Sequence, residues 1–168
     1  SIMVDSKNNL WLATYSDKGL VRYGADGAIV TFTQNKSGAT SDRFRCLEEL
    51  ADGTIVAGTS NGINLIKGNK VVGIITQKDG LENAQILCIQ EKGDGSFYVG
   101  SDGAGIYIIK DGKIIARSYN QKECKNDTTN HAEILAIKKA SKRLQSWRLI
   151  DCDMYVTLEP CSMCAGAL

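Results

Sequence analysis

The chain has 168 residues, of which 43% are hydrophobic and 23% are charged, and its net charge is +1. This composition is typical of a folded globular protein and excludes a disordered or membrane-embedded chain. No apolar run approaches the ~18 residues that a bilayer span requires, and residues 1–10 lack the charged and apolar regions of a secretory signal, so the sequence predicts a cytoplasmic protein with no membrane partner.

Residues 2–115 contain a degenerate repeat of paired short strands. The first strand of each pair alternates apolar and polar residues and follows a turn, at residues 9–14, 54–59 and 96–101. The second strand of each pair opens with a glycine, at residues 19–23, 62–66 and 105–109. These three glycines are spaced by 43 residues. A period in the forties that is built from short strands and Gly/Asp turns is typical of β-propeller blades.

On these strands the region resembles the propeller repeats of the sensor parts of two-component regulators. The repeat predicts between two and three blades, whereas a closed propeller has about four to eight. Residues 1–105 are therefore expected to form an incomplete set of β-propeller repeats, which is either a fragment or pairs with further chain.

The pattern changes near residue 116, where helical spacing replaces strand alternation. Residues 129–145 carry apolar side chains at helical spacing, and Thr129 is a candidate cap, so they predict a helix. Residues 154–158 predict a strand, and Pro160 is expected to start a second helix, where its missing N–H is tolerated. Strands alternating with helices indicate an α/β unit.

His131 and a Pro160-Cys161-x-x-Cys164 motif carry the strongest chemical signal. Zinc favours nitrogen and thiolate ligands, and a catalytic zinc takes three of them and leaves a fourth position for water. These three side chains therefore predict one zinc ion per chain. Two other interpretations stay open at this point: a Cys-x-x-Cys pair can be a structural or redox site, and the chain's one histidine can be an ordinary polar residue.

Glu133 lies two residues after the candidate histidine ligand. Because the metal already has its protein ligands, the expected role of this carboxylate is proton transfer from water to the substrate and to the departing ammonia. His-x-Glu with Pro-Cys-x-x-Cys is the known signature of zinc deaminases of nucleobases. The other cysteines are predicted to be free thiols, namely Cys46, Cys88, Cys124 and Cys152.

The C-terminal part resembles the bacterial tRNA adenosine deaminase family, a zinc-dependent group related to cytidine and deoxycytidylate deaminases. The residues that carry this resemblance are 110–117, 119–120, 131–133, 146–149, 151–152 and 155–167. The resemblance implies that Glu133 is catalytic, and that Asn120, Glu159 and Pro160 bind the target nucleotide. It also implies hydrolysis of the wobble adenosine of a tRNA anticodon stem-loop to inosine, with the base flipped into the site, and a homodimeric assembly.

Two departures from the family limit what the resemblance implies. Residues 127–130 read Asp-Thr-Thr-Asn where the family commonly has Asp-Pro-Thr-Ala. The family's first helix, and everything beyond residue 168, have no counterpart here, so the unit is expected to be truncated and weakly active because the metal site lacks part of its support.

The sequence thus predicts a two-part α+β chain. Residues 1–105 form partial antiparallel β-propeller blades, and residues 106–168 form a truncated α/β cytidine-deaminase-like zinc domain. Two alternative functions remain open: a sensory or binding propeller fragment fused to an inactive deaminase remnant, and a deaminase of another nucleobase such as cytosine or guanine.

Overall fold

The computed structural model of the chain describes residues 1–118, 127–150, 152, 154 and 160–167. The chain divides into two compact units, Ser1–Arg117 and Ser118–Leu168. Antiparallel strands make up most of the described secondary structure, and helices are few. None of the described helices combines the length and the hydropathy of a bilayer-spanning segment.

The described part of the first unit consists of three four-stranded antiparallel sheets, each with its strands in chain order. The first sheet contains β1 (Ile2–Val4), β2 (Leu10–Ala13), β3 (Leu20–Tyr23) and β4 (Ile29–Phe32). The second contains β5 (Phe44–Glu49), β6 (Ile55–Thr59), β7 (Gly62–Lys67) and β8 (Lys70–Ile75). The third contains β9 (Ile86–Glu91), β10 (Ser96–Ser101), β11 (Gly105–Lys110) and β12 (Lys113–Ser118). A short helix, α1 (Gln34–Ser37), precedes the second sheet, and a 3-10 turn at Gln77–Asp79 precedes the third.

The paired strands of the sequence repeat are confirmed as the two central strands of each sheet. Equivalent residues pair across the three hairpins: Ala13 with Leu20, Gly58 with Ile63, and Gly100 with Ile106. The predicted boundary between residues 105 and 106 falls at the start of β11, which pairs with β10 along its whole length. That division of the chain stays a prediction.

Acidic turns join the first two strands of the second and third sheets. In these turns a carboxylate accepts a hydrogen bond from a backbone N–H two residues further on, Asp52 from Thr54 at 2.9 Å and Asp94 from Ser96 at 3.0 Å. The glycines between them, Gly53 and Gly95, have φ values of 77° and 76°, which other residues rarely adopt. The Asp-Gly pairs therefore fix the hairpins that the sequence pattern predicts.

Two hydrophobic cores hold the sheets face to face. Alternate residues of β6 point to opposite faces, so that Ile55 and Ala57 join the core with the first sheet while Val56 joins the core with the third. The core against the first sheet includes Trp11, Leu20, Phe32 and Ile66. The core against the third sheet includes Ile63, Ile75, Phe97, Val99, Tyr107 and Ile109. The second sheet is therefore covered on both faces.

The described part of the second unit contains two helices, α2 (Ala132–Leu144) and α3 (Ser162–Ala167). The predicted cap at Thr129 is wrong, because its N–H and hydroxyl both donate to the Asp127 carboxylate and His131 stands at the cap position instead. The second helix begins at Ser162, two residues after Pro160. Apart from Met154, the predicted strand at residues 154–158 lies outside the described residues.

Candidate metal centre

Three side chains of the second unit converge on one point. The Nδ1 atom of His131 lies 3.7 Å from the Sγ of Cys161, which lies 3.6 Å from the Sγ of Cys164. The ligand atoms of all three residues lie within 4.8 Å of one another. The structure thus brings together the three ligands that the sequence predicts, although thirty residues separate His131 from Cys161.

The starts of the two helices position these side chains. His131 precedes the first residue of α2 with extended backbone angles, φ −66° and ψ 151°, and its carbonyl accepts a hydrogen bond from the Leu135 N–H at 3.0 Å. Cys161 stands just before α3, and its carbonyl accepts from the Ala165 N–H at 2.9 Å. Cys164 follows three residues later in the first turn, so both sulfurs face the same side.

The two thiols have different electrostatic environments. The hydrogen bond from the backbone N–H of Cys164, and then the hydrogen bond with the Cys164 side chain, lower the pKa of the Cys161 thiol. Cys164 is fully buried, and burial, followed by the contact with Cys161, raises its pKa to about 11. Cys161 therefore ionises first, and a bound cation would be needed to favour the thiolate of Cys164 near neutral pH.

Glu133 lies at the same centre. It stands in the first turn of α2, and its carboxylate contributes through its charge and a hydrogen bond to the raised pKa of Cys164. The carboxylate predicted to transfer protons therefore lies close enough to the candidate ligands to affect the pKa of one of them.

Two of the three distances between the candidate donors have the length expected around a tetrahedral zinc ion. With Zn–S bonds of ~2.3 Å and Zn–N bonds of ~2.0 Å, neighbouring ligand atoms of a tetrahedron lie roughly 3.5–3.8 Å apart. The distances of 3.6 and 3.7 Å match these edges. One imidazole and two thiolates also leave a fourth position for water, as in catalytic zinc sites.

Of the three residues predicted to bind the target nucleotide, the structure describes only one. Asn120 and Glu159 lie outside the described residues, while Pro160 is half-buried next to Cys161. Sequence reasoning missed the turn that leads into His131, where the Asp127 carboxylate accepts from Thr129 and Asn130 is buried. An Asp followed two residues later by a Thr is a recognised turn signal and could have indicated it.

The cysteines outside the centre are free thiols wherever the structure describes them, at Cys46, Cys88 and Cys152. Burial raises the pKa of Cys46 to about 12, and neighbouring Cys88 contributes to the shift. Cys124 lies outside the described residues.

Comparison with curated proteins gives matches in the C-terminal part. The chain is 58% identical to the chloroplastic tRNA(adenine(34)) deaminase of Arabidopsis thaliana over 64 residues, which are 38% of this chain and 5% of that protein. It is 48% identical to the tRNA-specific adenosine deaminase of Aquifex aeolicus over 73 residues, 44% of this chain and 48% of the relative. It is also 50% identical to the guanine deaminase of Bacillus subtilis over 64 residues, 38% of this chain and 41% of the relative. The chain thus spans less than half the length of each of these relatives.

Solved structures resemble the chain over about two thirds of its length. The extracellular domain of a hybrid two-component system from B. thetaiotaomicron matches with a TM-score of 0.57 and 16% identity, over 70% of this chain and 17% of that one. Virginiamycin B lyase from Staphylococcus aureus matches with a TM-score of 0.57 and 15% identity, over 67% of this chain and 38% of that one. These likenesses support the predicted propeller-like arrangement of the sheets.

The family comparison covers the residues of the candidate metal centre. The model of the MafB19-like deaminases matches residues 85–168, which are half of the chain and include His131, Glu133 and both cysteines of the centre. The resemblance to the tRNA adenosine deaminases is confirmed by the curated relatives. The chain therefore belongs to the MafB19-like deaminase family.

Proposed function

We propose that this protein is a zinc-dependent hydrolase that converts adenosine to inosine at the wobble position of a tRNA anticodon. The observation that carries the proposal is the convergence of the ligand atoms of His131, Cys161 and Cys164 within 4.8 Å of one another. The relatives named as tRNA adenosine deaminases support adenosine as the target base.

In this proposal the metal-binding residues and Glu133 have separate roles in the hydrolysis. His131, Cys161 and Cys164 hold one zinc ion, which supplies the Lewis acid that activates water for attack on the base. Glu133 accepts a proton from the attacking water and delivers protons to the ring nitrogen and to the leaving amine. Adenosine and water then give inosine and ammonia. The position of Glu133 in the first turn of α2, two residues after the histidine ligand, keeps its carboxylate beside the reacting atoms.

The substrate residues belong to the same proposal. Asn120 and the turn at Glu159 and Pro160 hold the target nucleotide, which leaves the base stack to enter the site. Single-stranded loops are the parts of RNA whose unstacked bases proteins read, and an anticodon loop is such a segment. A homodimer is the proposed assembly of the enzyme.

The test measures bound zinc and product with the whole chain. Glu133→Gln is expected to keep zinc and to lose inosine formation in an anticodon stem-loop by a factor of about 100 or more. The matched control is Asp17→Asn, an exposed carboxylate that forms a surface ion pair with Lys18, and it should leave both readouts unchanged. Unchanged product formation by Glu133→Gln would remove Glu133 from the mechanism.

Guanine is the second candidate base, because the guanine deaminase of Bacillus subtilis is 50% identical over the matched residues. The zinc chemistry is shared between nucleobase deaminases, and pocket shape sets the base. Ammonia release from free guanine, without inosine formation in the stem-loop, would favour guanine over adenosine. A zinc-free protein that releases ammonia from neither would favour a binding role for the first unit instead.

A further inference from the structure

A cleft of about 460 Å³ lies between the second and third sheets. Its walls include the half-buried side chains of Leu50 and Leu65 and the buried ring of Phe97. Charged side chains line it as well, namely those of Asp52, Lys67 and Asp111. A cleft of this volume, with apolar walls and a few charged groups, is typical of sites that bind small molecules.

Between the first and second sheets, the corresponding gap is bridged by an arginine. Arg22, in β3, donates from Nη1 to the side-chain oxygen of Asn69 at 2.7 Å and to the carbonyl of Gly68 at 3.5 Å. Gly68 and Asn69 form the turn between β7 and β8 of the second sheet. The Arg22 side chain therefore reaches from one sheet to the outer turn of the next.

The cleft lies where both ends of this bridge are missing. Leu65 stands 43 residues after Arg22, and Gly112 stands 43 residues after Asn69, which is the spacing of the repeat. Leucine has no donor and is shorter than arginine, while glycine has no side chain. Both residues line the cleft, and a Cβ atom at Gly112 would lie 3.8 Å from the Cδ1 of Leu65. The replacement of the two bridging side chains therefore accounts for the open space.

The charged groups of the cleft leave one carboxylate without a counter-ion. Lys67 donates to the Asp52 carboxylate at 2.8 Å, and this hydrogen bond is the main cause that lowers the pKa of Asp52 to about 2, so Asp52 is ionised and compensated by Lys67. Asp111 stands 43 residues after Gly68 and adds a second carboxylate. Among the residues that the structure describes, Asp111 forms no ion pair. The cleft therefore complements a ligand with one positive charge.

We propose that this cleft binds a small organic cation that has a guanidinium head and an apolar body. The head takes the place that the Arg22 guanidinium has in the first gap, and it donates to the carboxylate of Asp111. A guanidinium suits this position because its planar fork of N–H donors matches the two oxygens of a carboxylate. The apolar body packs against Leu65 and Phe97, which excludes water from the ion pair. This binding activity is independent of the metal centre.

The experiment titrates butylguanidinium into the whole chain and measures binding by isothermal titration calorimetry. Binding in the millimolar range or tighter is expected, because the ligand is small. Butylurea is the matched control ligand, since it has the same shape but no charge, and it should bind at least about tenfold more weakly. Absence of butylguanidinium binding overturns the proposal, and so does equal binding of the two compounds.

Asp111→Asn tests the assigned carboxylate. The variant is expected to weaken butylguanidinium binding about tenfold, because it removes the charge that pairs with the head. Its fold should be unchanged, since Asp111 is exposed and asparagine tolerates the positive φ of 50° at this position. Asp26→Asn is the matched control, because Asp26 lies in an exposed turn of the first sheet, and it should bind like the wild type. Unchanged affinity of Asp111→Asn overturns the proposal.

Leu65→Arg places the arginine of the first gap in the second gap. Its tethered guanidinium is expected to occupy the cleft, so that butylguanidinium binding is lost while the melting temperature is no lower than that of the wild type. A folded Leu65→Arg chain that still binds butylguanidinium with wild-type affinity overturns the proposal, because the ligand then binds elsewhere. If Leu65→Arg fails to fold, Asp111→Asn decides the outcome, since that change lies in an exposed turn outside the core.

Discussion

The indole N–H of Trp11 donates a 2.8 Å hydrogen bond to the carboxylate of Asp5, and both residues are buried. The same carboxylate accepts from the backbone N–H groups of Lys7 and Asn9 at 2.9 and 2.8 Å. Asp5 therefore closes the turn between β1 and β2 and also provides the acceptor that a buried indole requires.

Asp5→Ala is expected to lower the free energy of unfolding by about 1–3 kcal/mol, because it leaves the Trp11 N–H buried without its acceptor. Urea denaturation followed by tryptophan fluorescence measures this. Asp26→Ala is the control, since Asp26 accepts a hydrogen bond from the Ala28 N–H in an exposed turn. Equal losses for the two variants would show that the bond to Trp11 adds nothing beyond turn closure.

Acid should weaken the same contact. Burial raises the pKa of Asp5, but hydrogen bonds from Trp11 and Asn9 outweigh burial and leave the pKa below its ordinary value. A carboxyl group with a depressed pKa stabilises the fold above its unfolded pKa of ~3.9 and loses this contribution as pH falls through the folded value. The unfolding free energy of the wild-type chain should therefore drop more steeply below pH ~4 than that of Asp5→Asn. Parallel curves in acid denaturation would contradict the prediction.

The strand pairs were predictable because successive side chains of a half-buried strand point to opposite faces, one apolar and one polar. Apolar and polar residues therefore alternate along the paired strands. The second strand of each pair also opens with a glycine, and these glycines are evenly spaced along the chain. The first strand of each sheet, namely β1, β5 and β9, was not predicted. The sequence of β5, Phe-Arg-Cys-Leu-Glu-Glu, does not alternate between apolar and polar residues. This strand contacts both neighbouring sheets, and the side chains of its last residues accept hydrogen bonds from them.

The three residues of the candidate metal centre were predictable from the sequence, whereas the local structure around them was less so. Zinc chemistry needs particular residue types at particular spacings, so His131, Cys161 and Cys164 could be recognised without a fold. The helix start could not be recognised in the same way. Thr129 and His131 both precede the helix, and the choice between them depends on Asp127, whose carboxylate takes both donors of Thr129.

Zinc should stabilise the second unit, because a ligand that binds only the folded chain raises the free energy of unfolding by an amount that grows with the logarithm of the free ligand concentration. A chelator is expected to lower the melting temperature of the wild-type chain by several degrees, roughly 4 °C or more. Cys161→Ser should retain almost no zinc and show no further chelator effect. Cys152→Ser is the control, because Cys152 is an exposed free thiol outside the centre, and it should behave like the wild type. Zinc retention by Cys161→Ser would remove Cys161 from the ligand set.

Gly58 is expected to tolerate no larger side chain. A Cβ atom at this position would lie 2.5 Å from the Sγ of Cys46 and 2.6 Å from the Cγ2 of Ile86, both next to the core between the second and third sheets. Gly58→Ala should therefore cost about 1–3 kcal/mol in a denaturation experiment. Gly166→Ala, where an added Cβ would meet open space, should leave stability unchanged or raise it slightly. A neutral Gly58→Ala would mean that the two neighbouring side chains move apart freely.

Thr40, in the segment before the second sheet, forms a buried polar network with Thr59 and Asn64 of that sheet. We expect the contributions of these three residues to stability to be coupled. The hydroxyls of Thr40 and Thr59 lie 2.8 Å apart, and the Asn64 amide both accepts from the Thr40 N–H at 2.9 Å and donates to the Thr40 hydroxyl at 3.0 Å. Asn64→Ala is expected to cost about 2–4 kcal/mol because it leaves the Thr40 N–H unpaired, and Thr59→Val about 1–2 kcal/mol.

Because both changes remove partners of Thr40, the double variant should lose less stability than the sum of the single losses, with a coupling of about 0.5–2 kcal/mol. Chemical denaturation of the four proteins of this double-mutant cycle measures the coupling. Asn64→Ala combined with Asp26→Ala provides the comparison, since Asp26 lies in an exposed turn of the first sheet and shares none of these partners. Additive losses in both cycles would mean that Thr40 binds its two neighbours independently. Each hydrogen bond of the network would then contribute separately to the free energy of unfolding.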